Sequence, residues 1–572
     1  MRALDVAVLV ATLAGLVGYG LWRSRATRDM AGYLVAGRQL PWPLIALSVM
    51  ATQASAVTFL ATPGQGYVGG LSFVQFYFGL PIAMVVLCAT IVPLFQRMRV
   101  STAYEFLERR FDGRTRTLAA GLFLLQRGLA AGVTLFAPAL VLSVILHWDL
   151  RATCALLGLL VLGVTTLGGS RAIGHTHALQ FTIIMGTMAL AFLLALHALP
   201  ARLGAGDAFA LAGHLGKLNA VDTHFDPRGR YNLWAGLVGG LFLQMSYFGT
   251  DQSQVGRYLA AKSTAASRMG LLFNGLFKVP MQFFVLLLGV VVFVVYQFAP
   301  TPLFFDPSGA EVARAGPHAG RWQALEAEHA RLSRERAGLV GDWLASRAAP
   351  AAVRHGRAAD GLLRLRAADQ AVHDSAVAVI RASSPAANTN DTNYIFLHFV
   401  LSRLPAGVVG LVLAAIFAAA MNSSSSEIHA LTSTTIVDVV RRIPGAPTDD
   451  ARLLGWSRAA SVFWVVFAVA FAQFAGRSGS LVETVNQLGS LFYGTILGIF
   501  LCAFFVHRAG GPAVFFAALL AEAAVLACWK LDLVFWLWFN VVGCLLTVGL
   551  AALLSQLVPA WRAAPVPERI AD

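Results

Sequence analysis

Charge is scarce in this sequence: only 13% of its 572 residues are Asp, Glu, Lys or Arg, while 57% are hydrophobic. Over a chain this long, that balance excludes an ordinary soluble protein and calls for many membrane spans. Cysteine is scarce too. The five present (Cys88, Cys154, Cys502, Cys528 and Cys544) all fall in apolar stretches, and none forms a Cys-x-x-Cys pair. This argues against a disulfide framework or a thiolate zinc site and leaves them as small helix-packing residues. There is no Gly-x-x-x-x-Gly-Lys phosphate loop, no clustered His/Glu metal motif and no nucleophile motif in context, so an enzyme is not expected.

Apolar stretches of spanning length run over about 6–22, 40–62, 71–95, 117–146, 152–167, 178–199, 234–250 and 271–296, then over 408–437, 459–474, 481–505, 513–528 and 535–554. At about twenty residues per span, this predicts an all-α polytopic membrane protein with roughly thirteen transmembrane helices. The net charge of +14 is spread over alternate loops. Arg23, Arg25 and Arg28 follow the first span. Arg97, Arg99, Arg109, Arg110, Arg114 and Arg116 follow the third, Arg257, Lys262 and Arg268 the seventh, and Arg441 and Arg442 the ninth. Such alternation marks topology rather than a nucleic-acid footprint. It predicts a multi-pass protein of the plasma (inner) membrane with the N-terminus outside and the C-terminus cytoplasmic. The first span carries its positive charges on the wrong side for a cleavable signal and reads as retained.

Residues 301–392 break the apolar pattern. Trp322, Leu325, Leu332, Leu339 and Trp343 recur at heptad-like spacing, Pro350 interrupts, and Leu362, Leu365, Val372 and Val379 continue. The pattern predicts an extracytoplasmic helical insertion, either a docking module for a protein partner or an addition without a transport role. The expected organisation is helices one to eight in 1–300, the insertion in 301–392, helices nine to thirteen in 393–558, and a cytoplasmic tail in 559–572.

Two polar interruptions stand out at membrane depth. One is Ala418-Ala-Ala-Met-Asn-Ser-Ser-Ser-Ser-Glu427; the other is Ala51-Thr-Gln-Ala-Ser-Ala-Val-Thr58. Hydroxyls, amides and carboxylates are costly there unless they find partners or line a wet cavity. Helical spacing puts Ala419, Asn422, Ser423 and Ser426 on one face. Oxygens of Asn422, Ser423 and the Ala419 carbonyl would supply part of a shell for a hard cation, whereas serines bonded back to their own helix would be structural. An unwound segment near Ala54 would free the carbonyls of Ala51 and Ala54 and present Thr58 to a solute. The Gly-interrupted stretch Trp234–Gly249, with Gln244, Ser246 and Tyr247, holds the matching place five helices later. Paired broken segments of this kind point to an inverted repeat. Further intramembrane polar residues are Gln75, Tyr77, Arg127, Lys278, Asn486 and Gln487. Arg127 is a candidate for an anionic solute or for a buried ion pair, and Asp251 with Gln252 for a cap or gate.

In this order, several motifs resemble the sodium:solute symporter family. They are Ala36-Gly-Arg-Gln-Leu-Pro-Trp42, Ala51-Thr-Gln-Ala-Ser-Ala56, Thr102-Ala-Tyr-Glu-Phe-Leu-Glu-Arg-Arg-Phe111, Gly168-Gly-Ser-Arg-Ala172, Gly249-Thr-Asp-Gln252 with Arg257-Tyr-Leu-Ala-Ala-Lys262, and the serine run ending in Asp438. The resemblance covers the chain outside the insertion. It implies a leucine-transporter-type core of two inverted five-helix repeats, the first over about 40–200 and the second from about 232. It implies Na+ as the coupling ion, held by Ala51, Ala54, Ala419, Asn422 and Ser423, with an asparagine where the family usually has serine or threonine. Where some members keep an aspartate for a second sodium, this chain has His177, which implies one sodium per cycle. Solute contacts carried over or added from the residues are Thr58, Gln75, Tyr77, Gln244, Tyr247, Lys278 and Gln487. The resulting expectation is a sodium-coupled symporter importing a small organic solute, with an anion such as a carboxylate or vitamin favoured over a sugar. The alternatives are a proton-coupled transporter using His177 or Glu427, and a transporter-like solute sensor. Its expected partners are the solute, sodium and the lipid bilayer, with no nucleic acid.

Overall fold

The computed structural model describes residues 2–24, 38–146, 148–201, 203–348, 352–385, 387–444, 449–475 and 480–563. Arg25 and Arg28 of the first basic loop, Ala36 and Gly37, Pro350, and 564–572 of the expected tail lie outside the described residues. The first half of the chain runs α1 (Ala3–Ser24), α2 (Trp42–Gln53), α3 (Ala56–Gly69), α4 (Leu80–Ala89), α5 (Ile91–Met98), α6 (Glu105–Arg110), α7 (Gly113–Leu146), α8 (Leu150–His197), α9 (Ala205–His214), α10 (Gly240–Gly249), α11 (Gln252–Leu259) and α12 (Thr264–Val295). The rest comprises α13 (Pro307–Ala315), α14 (Ala319–Ala348), α15 (Ala352–Ser383), α16 (Thr392–Arg403), α17 (Val408–Thr434), α18 (Asp450–Ala475), α19 (Leu481–Phe505), α20 (Gly511–Lys530) and α21 (Leu537–Leu557).

Among the described residues, nine helical runs are long and apolar enough to cross a membrane, and Ala3–Tyr19 and Leu150–Gly163 are shorter apolar helices. One of the nine, Ala56–Met98, is 43 residues long, two spans' worth at about twenty residues each. With α10 and α11 counted as one broken span, the roughly thirteen crossings expected from the sequence are accommodated.

Two features differ from the sequence-based expectation. The spans expected at 152–167 and 178–199 are one uninterrupted helix, α8, of 48 residues. A straight helix of that length would reach about 72 Å, so it holds two apolar stretches, and no proline between them ends the helical ladder. The side chains of 166–175, including those of Gly168-Gly-Ser-Arg-Ala172 and His175, lie outside the described residues. The second difference is in the later repeat. The glycines of 236–240 do not unwind the helix. They form a π-helical turn, Ala235–Gly239, and let it press on the preceding wall: a Cβ on Gly236 would fall on the Gln75 carbonyl, and one on Gly240 would lie 2.7 Å from that of Phe76. The break comes at Thr250-Asp251, between α10 and α11.

In the first repeat the break is where the polar run predicts it. Ala54 (φ −81°, ψ 61°) turns its carbonyl out of the ladder. Ser55 is extended and caps α3, its hydroxyl accepting from Thr58 N at 3.2 Å. Around these broken helices, α17 packs on α1, α2, α3, α7 and α8, while α12 packs on α2, α3 and α4. The close approach of α3 and α12 depends on missing side chains, since a Cβ on Gly66 or Gly289 would land on the Leu286 or Pro63 carbonyl. Helices α19, α20 and α21 pack together beside this core.

At one end of the bundle, α14 and α15 form an antiparallel hairpin over α13. Its apolar stripe buries Trp322, Ala376, Val379 and Ile380 against Leu303 and Phe304. The hairpin is bonded to the core: Arg336 donates to the Tyr296 carbonyl at 3.4 Å, Arg366 donates to the Leu215 carbonyl, and His214 stacks on Trp343. At the other end, the 102–111 motif ties the helices down. Thr102 donates to Asp438 at 3.0 Å, Arg116 pairs with Asp438 at 2.5 Å and Glu108 at 2.8 Å, and Tyr104 donates to the Thr250 carbonyl at 2.9 Å. Gln252 accepts from Ala103 N at 3.1 Å and donates to the Ser101 carbonyl at 3.0 Å, which locks the two motifs together.

Candidate functional site

The break after α2 faces the serine run of α17. Ser423 Oγ donates to the Thr52 carbonyl at 3.2 Å, and Thr52 Oγ1 lies 3.4 Å from Ser426 Oγ. Ala51, Ala54 and Ala419 are fully buried here. Asn422 is buried as well, and among the described residues neither its Oδ1 nor its Nδ2 has a hydrogen-bond partner. A bare buried amide is unusual in a folded protein. The Asn422 amide, the Ser423 hydroxyl and the Thr52 carbonyl thus bring polar oxygens to the break, the type of donor a hard cation takes. The later serines behave differently: Ser425 and Ser426 donate back to the Asn422 carbonyl at 3.0 and 2.9 Å, the structural role for helix serines. His177 is buried with its Nδ1 3.3 Å from Ser48 Oγ, while its Nε2 has no partner among the described residues.

Next to the break is a cavity of about 90 Å³. Thr58, Tyr77, Gln244, Tyr247 and Lys278 line it, so the structure gathers five of the seven residues expected to meet the solute. The other two are corrected. Gln75 is fully buried and serves the loop between α9 and α10: its Nε2 donates to the Tyr231 carbonyl and its Oε1 accepts from Asp222 N at 2.9 Å. Gln487 does not line the cavity. Asn486 does, because one helical residue earlier turns the side chain by about 100°.

Several lining residues carried too weak a sequence signal. Gln53 donates to Asn274 at 2.6 Å across the wall. Arg127, read as either an anion contact or an ion pair, is an ion pair twice over. It donates to Asp251, to Glu427 Oε1 at 3.1 Å and to the Tyr493 hydroxyl at 2.5 Å. Tyr493 in turn donates to Asp251 at 2.8 Å, and Asp251 caps α11 by accepting from Ser253 N at 2.8 Å. Arg127 is therefore spoken for by protein carboxylates. Lys278 is not. It is 2% exposed, lies over the Tyr77 ring at 5.5 Å, and has no carboxylate or carbonyl partner among the described residues. Intramembrane pairs, charge arithmetic across distant helices and the identity of the residue opposite each group are not encoded in local sequence, which is why the Arg127–Asp251–Glu427 cluster was only half visible.

The chain matches the model of the Sodium:solute symporter family over residues 33–316 and 369–520; the unmatched 317–368 fall in the hairpin of α14 and α15. It is 29% identical over 299 residues to the sodium/iodide cotransporter of Homo sapiens, covering 51% of this chain and 46% of that protein. It is 31% identical over 274 residues to sodium-coupled monocarboxylate transporter 2 of Bos taurus, covering 47% and 44%. The chain thus spans less than half the length of these curated relatives. Among solved structures, a Na+-coupled sialic acid symporter in a substrate-bound, outward-open state aligns with a TM-score of 0.74 at 20% identity, over 98% of this chain and 99% of that one. The likeness is one of fold.

Proposed function

This chain belongs to the sodium:solute symporter family, and from that premise we propose that it imports a small monoanionic solute by alternating access, driven by one sodium ion per cycle. The observation that carries the proposal is the double duty of Ser423 and Thr52. They bond to each other at the α2–α3 break, and both also line the solute cavity. An ion bound by Ala51, Ala54, Ala419, Asn422 and Ser423 would fix that shared wall and so favour solute binding, which is coupling in its thermodynamic sense. Lys278, buried and without an acid partner among the described residues, supports an anion over a sugar, and the relatives, iodide and monocarboxylate transporters, agree with that charge. With one sodium and one monoanion per cycle no net charge crosses, so the sodium concentration gradient rather than the membrane potential drives uptake.

The face carrying Arg116, Arg257 and Arg442 is the cytoplasmic one in this reading, and the hairpin lies outside, in the plasma membrane. Its bonds to the Tyr296 and Leu215 carbonyls favour a part in shaping solute entry; docking of a protein partner rests on its exposed faces alone. The test is a thermal-shift screen of the purified protein with carboxylates, iodide and sugars, in sodium and in choline salts. A monoanion should raise the melting temperature only with sodium present; stabilisation by sugars alone, or without sodium, would overturn the reading. One second reading has an observation behind it: the unpartnered Nε2 of His177 favours a proton as coupling ion. Uptake in sodium-free buffer at acid pH decides between the two.

A further inference from the structure

We propose that the space between the α14–α15 hairpin and the bundle is a binding site for a small oxyanion, held between Lys217 of the core and Arg366 of the hairpin. The site shares no lining residue with the central cavity and does not depend on the reading of that cavity as the solute site.

A second cavity, of about 270 Å³, lies where the Gly69 end of α3 and the Val295 end of α12 meet α14 and α15. Lys217, Arg336 and Arg366 line it, with Asp369 and Asp391 as its carboxylates. Both acids are already engaged. Asp369 accepts from Arg336 at 2.8 Å and lies 2.7 Å from His329. Asp391 accepts from Phe305 N at 2.8 Å and lies 3.5 Å from His373. Lys217 and Arg366 are left with carbonyls. Lys217 is 3% exposed, donates to the Tyr67 and Val68 carbonyls, both at 2.6 Å, and lies 4.4 Å from the centre of the Phe293 ring. Arg366 donates to the carbonyl of Leu215, two residues before Lys217, which brings the two cations together.

Like charges repel strongly in a space that water reaches poorly. Burial, and after it repulsion from Arg366, lower the Lys217 pKa to about 7. Among the described residues no carboxylate pairs with either cation, and the buried Nε of Arg336 has no partner. An anion between them relieves the repulsion. One with several oxygens serves both a guanidinium fork and an ammonium, chemistry that carboxylate, sulfate and phosphate share. Arg336 and Arg366 both fall in 317–368, the stretch that the family model does not match. The site is therefore a property of the hairpin rather than of the symporter core. An anion seated there would tie α15 to Lys217 and, through it, to the last turn of α3, the helix that carries Thr58.

The test uses the purified full-length protein without sodium, below the Lys217 pKa of about 7. The choline salts of sulfate, phosphate and acetate are titrated against choline chloride at equal ionic strength, with melting temperature as the readout. The oxyanions should give a saturable rise, and half-saturation should need about tenfold more anion in Arg366→Gln, which loses a charge-assisted pair. Salting-out would instead raise both proteins equally and without saturation, and that result overturns the site. Lys278→Met, in the central cavity, should leave the response unchanged; loss of the response there would place the anion in that cavity and overturn the hairpin site. A response to acetate alone identifies an organic acid as the occupant, and a response to sulfate or phosphate alone an inorganic ion. Either supports the site, and no response to any of the three overturns it. If Arg366→Gln does not fold, hydrogen exchange in the wild type decides. The anion should slow exchange over 215–218 and 362–370, and unchanged exchange in both stretches would overturn the proposal.

Discussion

Arg127 on α7 donates to Asp251, the residue that caps α11 immediately after the break in the second repeat. The same guanidinium holds Glu427 of α17 on its other side at 3.1 Å. One cation thus ties a broken helix to the helix of the proposed sodium site. Because both carboxylates are buried, removing the cation leaves two uncompensated charges. Arg127→Met should cost about 3–5 kcal/mol, read as a large fall in melting temperature in detergent, and Asp251→Asn in the same chain should restore part of it. An unchanged melting temperature would show that the cluster is solvated.

Sodium stimulation should depend on Ser423 far more than folding does. Ser423→Ala removes one hydrogen bond to the Thr52 carbonyl, worth about 0.5–1.5 kcal/mol, yet it also removes a proposed ion ligand and a piece of the cavity wall. The expected outcome is a folded protein whose uptake no longer responds to sodium. Wild-type sodium dependence in this variant would move the ion elsewhere.

The first repeat's break, the serine run and most cavity residues were legible because membrane-embedded polar groups are costly and therefore conspicuous. The break at Ala54 was readable for that reason, and so was Lys278. Gln75 misled for the same reason: a buried amide in a span announces that it has partners, but not whether they are a solute or the Asp222 and Tyr231 backbone. The glycines at 236–240 misled because chain flexibility and close packing ask for the same residue, and only the neighbouring Gln75 and Phe76 carbonyls tell the two apart. The continuity of α8 is not legible because two apolar runs separated by polar residues look the same in sequence whether a loop or a helix joins them.

The hairpin's seat on the core should weaken with rising pH. Burial works against charge on His373, but the Asp391 carboxylate, 3.5 Å away, outweighs it with help from Asp374 and Asp369, so the imidazole's pKa is raised above its usual value. A group whose pKa is raised on folding contributes its stability fully below the unfolded value of about 6.5 and loses it as pH rises through the folded value. Asp391 also accepts from Phe305 N at 2.8 Å, so this pair joins α15 to the chain entering α13. Hydrogen exchange along α15 should therefore speed up as pH is raised from about 6 to 8 beyond the intrinsic increase, and His373→Gln should abolish the excess. No difference between the two proteins would remove His373 from the contact.

The α3–α12 contact offers a test of packing that alters no proposed ligand side chain. Gly289 lies where a Cβ would fall on the Pro63 carbonyl, and Gly66 faces the Leu286 carbonyl in the same way. Backbone cannot step aside as a flexible side chain can, so Gly289→Ala must push the two helices apart, at a cost of about 1–3 kcal/mol for overpacking. Because α3 carries Thr58 into the cavity, the displacement should also weaken solute-dependent stabilisation. Gly186→Ala on α8 is the control. Nothing lies within 4 Å of its added Cβ, and alanine is the better helix former by about 1 kcal/mol, so that variant should be at least as stable as the wild type. If Gly289→Ala matched Gly186→Ala in melting temperature, the tight α3–α12 contact would not exist in solution.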